Sequence, residues 1–407
     1  MKCKVCSKLI YPFMSFGSMP IANGFLSKNQ FKNEYYFDME VVFCTNCYMF
    51  QLFQQPPREK MFNETYAFYS GTSKMMDLHF KKLSDDIKLQ YLSDLSDPFV
   101  IEIGSNDGIL LNNFKNDGIK HLGIEPSKNV ASVAIEKNIN TMVNFFGMSL
   151  SKKILNEYGQ CDIFVAANVM CHIANIKSIF ESIKLLLKPN GVLIFEDPYL
   201  GDVIEKTTYD QIYDEHVFLF SLHSIQHLVH LFDMEVIDIN HLEAHGGSLR
   251  YTVAHRGNRI VRDIVEKQLL HEKNLGLTHP KTFEDFKNKC NNYKSDLITL
   301  LNNIKSDGFS IAGYAATSKS TTIMNYCGIG SNHLDFISDI TPLKQGKYSP
   351  GTHIPIVSNQ YFKCNYPDYA LLFAYNHQEE IFQKEKEFIR NGGKWITYVP
   401  ELKIIND

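Results

Sequence analysis

The chain has 407 residues and a formal net charge of −4, from 41 basic and 45 acidic residues. Single cores stop growing near roughly 250–300 residues, so this length predicts two or three domains. Charges dispersed along the chain exclude a nucleic-acid stripe or a polybasic anchor. The N-terminus lacks a long apolar run before a small-residue cleavage site, and no apolar run approaches the roughly 18 residues of a membrane span. These features predict a cytoplasmic protein without nucleic-acid or membrane partners, as a monomer or small homo-oligomer. Nine cysteines are an odd number and a poor disulfide framework for that compartment.

Four of the cysteines form two C-x-x-C pairs, Cys3 with Cys6 and Cys44 with Cys47. Two such knuckles complete a closed tetrahedral thiolate site, which predicts one structural zinc, remote from the chemistry. The segment between them exceeds the roughly 15–20 residues of a zinc ribbon, and its aromatic residues and alternation before Cys44 suit a small β-rich insert.

Next comes "FVIEIGSNDGILLNNF", an apolar strand over 99–103, a turn with Gly104 and Gly108, and a helix-forming segment. Such a loop suits a nucleotide cofactor. About twenty residues later, by the spacing of nucleotide-binding sheets, "HLGIEPSKN" ends a short strand in Glu125, whose carboxylate can accept two ribose hydroxyls. Further strands in "CDIFVAANVMCHI" and "NGVLIFEDPYLGD" end at Asn168 and at Glu196 and Asp197. Their alternation with helical segments predicts a largely parallel sheet, with its ligand crevice at the strands' carboxyl ends. His172 and the group Tyr213, Asp214, Glu215 and His216 in "YDQIYDEHVFLFSLHS" fall at that edge.

"HGGSLRYTVAHR" reads as a strand pair turned by Gly246 and Gly247, followed by one long helical connector from about 263 to 306. "FSIAGYAATSKSTTIMNYCG" then repeats the strand, turn and helix order. Thr317, Ser318 and Lys319 at its helix start suit a phosphate or diphosphate. A strand ending at Asp339, a loop carrying Lys344, Lys347 and His353, and two last strand-like runs complete a second sheet. The fold class expected is α/β: a zinc-binding module over 1–75, a Rossmann-like nucleotide-cofactor domain over 76–240 and a Rossmann-like C-terminal domain over 241–407.

The ordered motifs "PIANGFL", "YAFYSGTS", "EIGSNDG", "ANVMCHI", "FEDPYLGD", "YDEHVFLFS", "HGGSLR", "GYAATSKSTTIMNYCG" and "PGTHIPI", behind the two C-x-x-C pairs, resemble the sugar C-methyltransferases of deoxysugar biosynthesis. The resemblance covers nearly the whole chain. It implies S-adenosylmethionine and zinc as cofactors, and methylation at carbon 3 of a nucleotide-linked 4-keto-deoxysugar through an enolate. It makes Glu102, Gly104, Ser105, Asn106, Asp107, Glu125 and Asn168 the expected cofactor contacts. Glu196, Thr317, Ser318, Lys319, Lys347 and His353 become the expected substrate contacts. His216 is then the expected C3 base, because imidazole titrates near neutrality. Glu215 orients it or meets a sugar hydroxyl, Tyr213 donates to the 4-keto oxygen, His172 stands beside them, and either Tyr66 or Tyr69 faces the reaction. An NAD-dependent sugar-nucleotide epimerase or dehydrogenase is the alternative enzyme, disfavoured because the loop lacks the dinucleotide spacing. A non-catalytic nucleotide-binding scaffold is the other alternative.

Overall fold

The computed structural model describes residues 1–62, 69–72 and 74–406. Alternation of small polar and apolar residues makes β1 (Pro12–Pro20), whose Met14, Phe16 and Met19 are buried. It pairs antiparallel with β2 (Tyr36–Phe43), which in turn pairs with β3 (Phe50–Leu52). The first C-x-x-C pair precedes β1 and the second lies between β2 and β3.

Five parallel strands build the central sheet: β4 (Phe99–Ile103), β5 (Lys120–Ile124), β6 (Thr141–Met142), β7 (Cys161–Ala167) and β8 (Leu187–Pro198). All five residues of β4 are buried, as expected for a strand covered on both faces. The short β9 (Phe218–Leu219) leaves this domain to pair with β3, so it becomes the fourth strand of the N-terminal sheet. β10 (Met234–Leu242) and β11 (Ser248–His255) form a hairpin that extends the central sheet to seven strands in the order β10-β11-β8-β7-β4-β5-β6. The expected division at 240/241 falls inside this hairpin. Helix α1 (Lys74–Ile87) leads into the sheet and buries Phe80, Leu83 and Ile87.

The connector is two helices, α2 (Asp263–Asn274) and α3 (Pro280–Ser306), where one was expected. Gly276, at φ +73, takes the left-handed conformation that ends a helix, and Pro280 starts the next at a position that lacks an amide partner anyway. The C-terminal sheet contains β12 (Ile311–Tyr314), β13 (Ile337–Ser338), β14 (Ile356–Val357), β15 (Tyr369–Leu372), β16 (Lys394–Thr397) and β17 (Lys403–Ile405). Its order is β14-β13-β12-β15-β16-β17, parallel except for β17. Helix α4 (Ser318–Cys327) starts directly beyond β12, with the Thr317 side chain accepting from the Ser320 amide as its cap. Among the described residues no helix is long and apolar enough to cross a membrane.

Candidate active site

The two cysteine knuckles repeat one backbone pattern. The Cys3 amide donates to the Lys8 carbonyl and the Ser7 amide to the Cys3 carbonyl; the Cys44 amide donates to Met49 and the Tyr48 amide to Cys44. Ser7 and Tyr48 both take positive φ, 63° and 57°, to close these turns. The four Sγ atoms lie within 4.8 Å of one another, with Cys3 to Cys47 and Cys6 to Cys44 both at 3.5 Å. A zinc tetrahedron with bonds of about 2.3 Å needs sulfur separations of about 3.8 Å, so the thiols fit that ion. Gln51 donates to the Cys3 sulfur at 3.2 Å, the kind of outer hydrogen bond that fixes a thiolate ligand.

A cavity of about 1950 Å³ opens where the N-terminal module and the two parallel sheets meet. Single-ligand pockets run to about 1,000 Å³, so this one has room for a cofactor and a second sizeable molecule. On its central-sheet side Gly104, Asn106, Glu125 and Asn168 form wall. Gly104 has φ +62, and a Cβ there would stand 2.3 Å from the Val169 side chain. The Glu125 carboxylate accepts from the Asn106 amide at 3.1 Å and from the Ser127 amide at 2.8 Å. Burial raises its pKa, and those two amides oppose the rise by favouring the ionised form. Held this way, Glu125 presents a fixed acceptor to the cavity. Three expected cofactor contacts lie behind the wall. Glu102 is buried, with its acidity suppressed by desolvation and then by Glu125 and Asp107. Ser105 packs toward Gly123, and Asp107 accepts from the Gly71 amide at 2.9 Å.

The catalytic candidates form a ring stack across the cavity. The ring of His172 lies 5.3 Å from that of His216, and the ring of Tyr213 lies 4.0 Å from that of His216. His216 Nδ1 is 2.7 Å from the Gln211 carbonyl, which can only accept, so Nδ1 carries the proton. Nε2 is therefore the basic nitrogen, and the Tyr213 hydroxyl donates to it at 2.8 Å. Burial holds Tyr213 well above the ordinary phenol range, which keeps it a donor. Cys171, His172 and His216 bring three potential ligand atoms within 4.8 Å. Both His216 nitrogens are engaged, however, so the arrangement suits proton transfer. Glu215 faces the cavity, whereas Asp214 turns away and accepts from the Ala22 amide at 3.0 Å. Tyr69 lines the cavity and accepts from Asn129 at 2.9 Å. Tyr66 lies outside the described residues.

On the C-terminal side Thr317, Ser318 and Lys319 are wall residues. The Lys319 ammonium stands 5.0 Å over the Tyr375 ring; burial lowers its pKa and the Asp210 carboxylate opposes that. Three expected substrate contacts sit elsewhere. His353 stacks on Phe31 at 3.7 Å and pairs with Glu34 at 2.7 Å, because an acid and a ring from the N-terminal module dock there. Lys347 spends its backbone on the Ile356 amide, and Lys344 takes its place in the wall, donating to the Ala316 carbonyl at 2.8 Å. Glu196 is buried between His79, at 2.7 Å, and Arg250, so His79 reaches the cavity in its stead.

Sequence reasoning assigned no role to Lys4, Asn23 or His79, all of which line the cavity. Asn23 had a visible signal, its place in the "PIANGFL" motif. His79 had none, being one polar residue on an amphipathic helix.

Three family models match in tandem: "Putative zinc binding domain" over residues 3–62, "Methyltransferase domain" over 78–239 and "C-methyltransferase C-terminal domain" over 243–400. Among solved structures, an S-adenosylmethionine-dependent methyltransferase from Clostridium acetobutylicum is 15% identical with a TM-score of 0.35, over 44% of this chain and 92% of that one. Magnesium protoporphyrin IX methyltransferase from Synechocystis PCC 6803 is 12% identical with a TM-score of 0.35, over 44% of this chain and 82% of that one. C-methyltransferase NovU from Streptomyces niveus is 30% identical over 408 residues, spanning 100% of this chain and 97% of that protein. A match of that extent places the chain in the C-methyltransferase family, as an S-adenosylmethionine-dependent enzyme with an N-terminal four-cysteine module.

Proposed function

We propose that the enzyme methylates carbon 3 of a nucleotide-linked 4-keto-deoxysugar, with His216 as the base that removes the C3 proton. The observation that carries this reading is the Tyr213 to His216 hydrogen bond of 2.8 Å inside a cavity walled by two nucleotide-type sheets. S-adenosylmethionine supplies an electrophilic methyl group on a sulfonium; a sugar carbon becomes nucleophilic only when a proton next to a carbonyl is removed. Nε2 of His216 holds the lone pair for that proton, since Nδ1 is committed to Gln211. As the proton passes to Nε2, the C3–H electron pair becomes the C3=C4 π bond and the carbonyl π pair moves onto the 4-keto oxygen. Tyr213, kept protonated by burial, turns its hydroxyl from Nε2 to that oxygen and stabilises the developing charge. Glu125 holds the cofactor ribose. Thr317, Ser318 and Lys319 hold the substrate diphosphate, with Lys344 beside them.

The test is incubation with S-adenosylmethionine and a panel of nucleotide-linked 4-keto-deoxysugars, followed by product mass and ring-carbon assignment. A gain of one CH2 unit at carbon 3 is expected; a gain at oxygen or at another carbon overturns the reading. His216→Asn should leave both ligands bound and cut turnover by about 10²–10⁴. Solvent deuterium exchange at C3 without the methyl donor should vanish in the same variant. Exchange at the wild-type rate would remove His216 from the role of base.

A further inference from the structure

The N-terminal module is built into the wall around the reaction. Directly after His216 the chain enters β9, which pairs with β3 of the module, and the Leu52 amide donates to the Val217 carbonyl at 2.8 Å. The catalytic segment is thus anchored at its exit by the module's own sheet. At its centre it meets the turn of Ile21, Ala22, Asn23 and Gly24 that follows β1. The Gly24 amide closes this turn on the Ile21 carbonyl at 3.0 Å. The Ala22 amide donates to Asp214 at 3.0 Å, and Asn23 Nδ2 donates to Glu215 Oε1 at 2.7 Å. The C-terminal domain grips the same pieces: Thr321 donates to the Ala22 carbonyl at 2.9 Å and Thr322 to the Ile212 carbonyl at 3.0 Å.

We propose that Asn23 is a positioning residue for methyl transfer, fixing the Glu215 carboxylate in the cavity wall so that the cysteine-rich module takes part in the reaction as well as in folding. Asn23 and Glu215 both line the cavity, and Asn23 meets the carboxyl group with its amide nitrogen, which donates to Oε1. Such a bond favours the charged form and one rotamer of Glu215, the two properties a carboxylate needs to orient a sugar hydroxyl. A main-chain donor has no rotamer freedom, so the Ala22 bond sets the turn and the Asn23 side chain does the aiming. Lys4, between Cys3 and Cys6, is a further residue of the module in the wall of the same cavity.

This inference rests on Glu215 being an active-site carboxylate, and a double-mutant cycle separates the two ideas. The full-length protein is compared as wild type, Asn23→Ala, Glu215→Gln and the double variant. Turnover is measured on the fastest-reacting member of the 4-keto-deoxysugar panel, with metal content and thermal midpoint as controls. Asn23→Ala should lower kcat about tenfold or more in the wild-type background and less than about twofold in the Glu215→Gln background, the non-additivity of groups acting as one unit. An equal loss in both backgrounds, or no loss in the first, overturns the role of Asn23. If Glu215→Gln alone leaves kcat unchanged, the reading of Glu215 is what fails. Asn23→Asp adds a second arm. Two carboxylates 2.7 Å apart resist joint ionisation, so this variant should lose turnover as pH rises, relative to wild type, and lose nothing comparable in the Glu215→Gln background. A packing role alone would shift the thermal midpoint and leave that pH dependence flat.

Discussion

Two buried carboxylates at strand ends of the central sheet both have their pKa raised by burial and opposed by hydrogen bonds, and they differ in whether they face the cavity. Glu125 has two backbone amides on its oxygens and faces the cavity. Glu125→Ala should weaken S-adenosylmethionine binding by roughly 1–3 kcal/mol, the value of a charge-assisted pair. Calorimetry on the purified variant checks this, and unchanged affinity would move the ribose elsewhere. Asp197 is fully buried, and burial pushes its pKa from 3.8 to about 8, against the pull of hydrogen bonds from Cys171. Its folded-state pKa is raised, so the folded chain binds more protons than the unfolded one between those values. Stability from this group is therefore complete below pH 3.8 and lost as pH rises toward about 8. Asp197→Asn should accordingly gain most over wild type near pH 8 and lose that advantage under acid conditions. Denaturant midpoints across the pH range measure it, and a constant difference would mean that Asp197 is ionised at neutral pH.

At the scale of elements, strand ends were the legible part of this molecule. Apolar runs such as Phe99 to Ile103 specify covered parallel strands by themselves, and the residue beyond each run then falls at the crevice. That is why Asn168 and Glu125 are legible in the sequence, whereas the His216 segment stands out by its cluster of titratable residues ahead of an apolar run. Partner choice was not visible. His353 sits in a polar loop whose composition suits a ligand, but its ring stacks on Phe31 and its nitrogen meets Glu34, contacts made across more than three hundred residues of chain. Glu196 ends its strand as expected, yet Arg250 from the reversed strand β11 and His79 from helix α1 cover it. No local pattern encodes either meeting. The contact of His353 with Phe31 and Glu34 predicts what substitution there should do: His353→Ala removes a stacked ring and a partly exposed polar pair, costing about 1 kcal/mol. It should lower the thermal midpoint slightly while the KM for the methyl-accepting substrate stays at its wild-type value. A raised KM without loss of stability would return His353 to the substrate site.

At the scale of the whole molecule, the three units share one cavity, and the thiolate module closes its wall. The metal site is expected to stand remote from the chemistry, and none of its four cysteines lines the cavity; the module that holds it nevertheless contributes Lys4 and Asn23 to the wall and pairs its β3 with β9. A closed four-thiolate site supplies folding energy to the segment it crosslinks. Here that segment carries the sheet that anchors the chain just beyond His216 and the turn that meets Asp214 and Glu215. Loss of the metal should therefore be felt in the chemical step as well as in stability. On treatment with a chelator strong enough to strip zinc, turnover and the thermal midpoint should fall together, with one time course that follows metal release. S-adenosylmethionine binding should persist longer, because Glu125 and the loop after β4 belong to the central sheet. Cys44→Ala should reproduce the stripped state, and adding zinc should restore turnover to the stripped wild type and leave the variant impaired. Metal analysis of freshly purified protein fixes the starting point at one zinc per chain. Full turnover at the wild-type rate in metal-free, folded enzyme would show that the module's wall holds its shape without the ion, and would confine the metal to a role in folding.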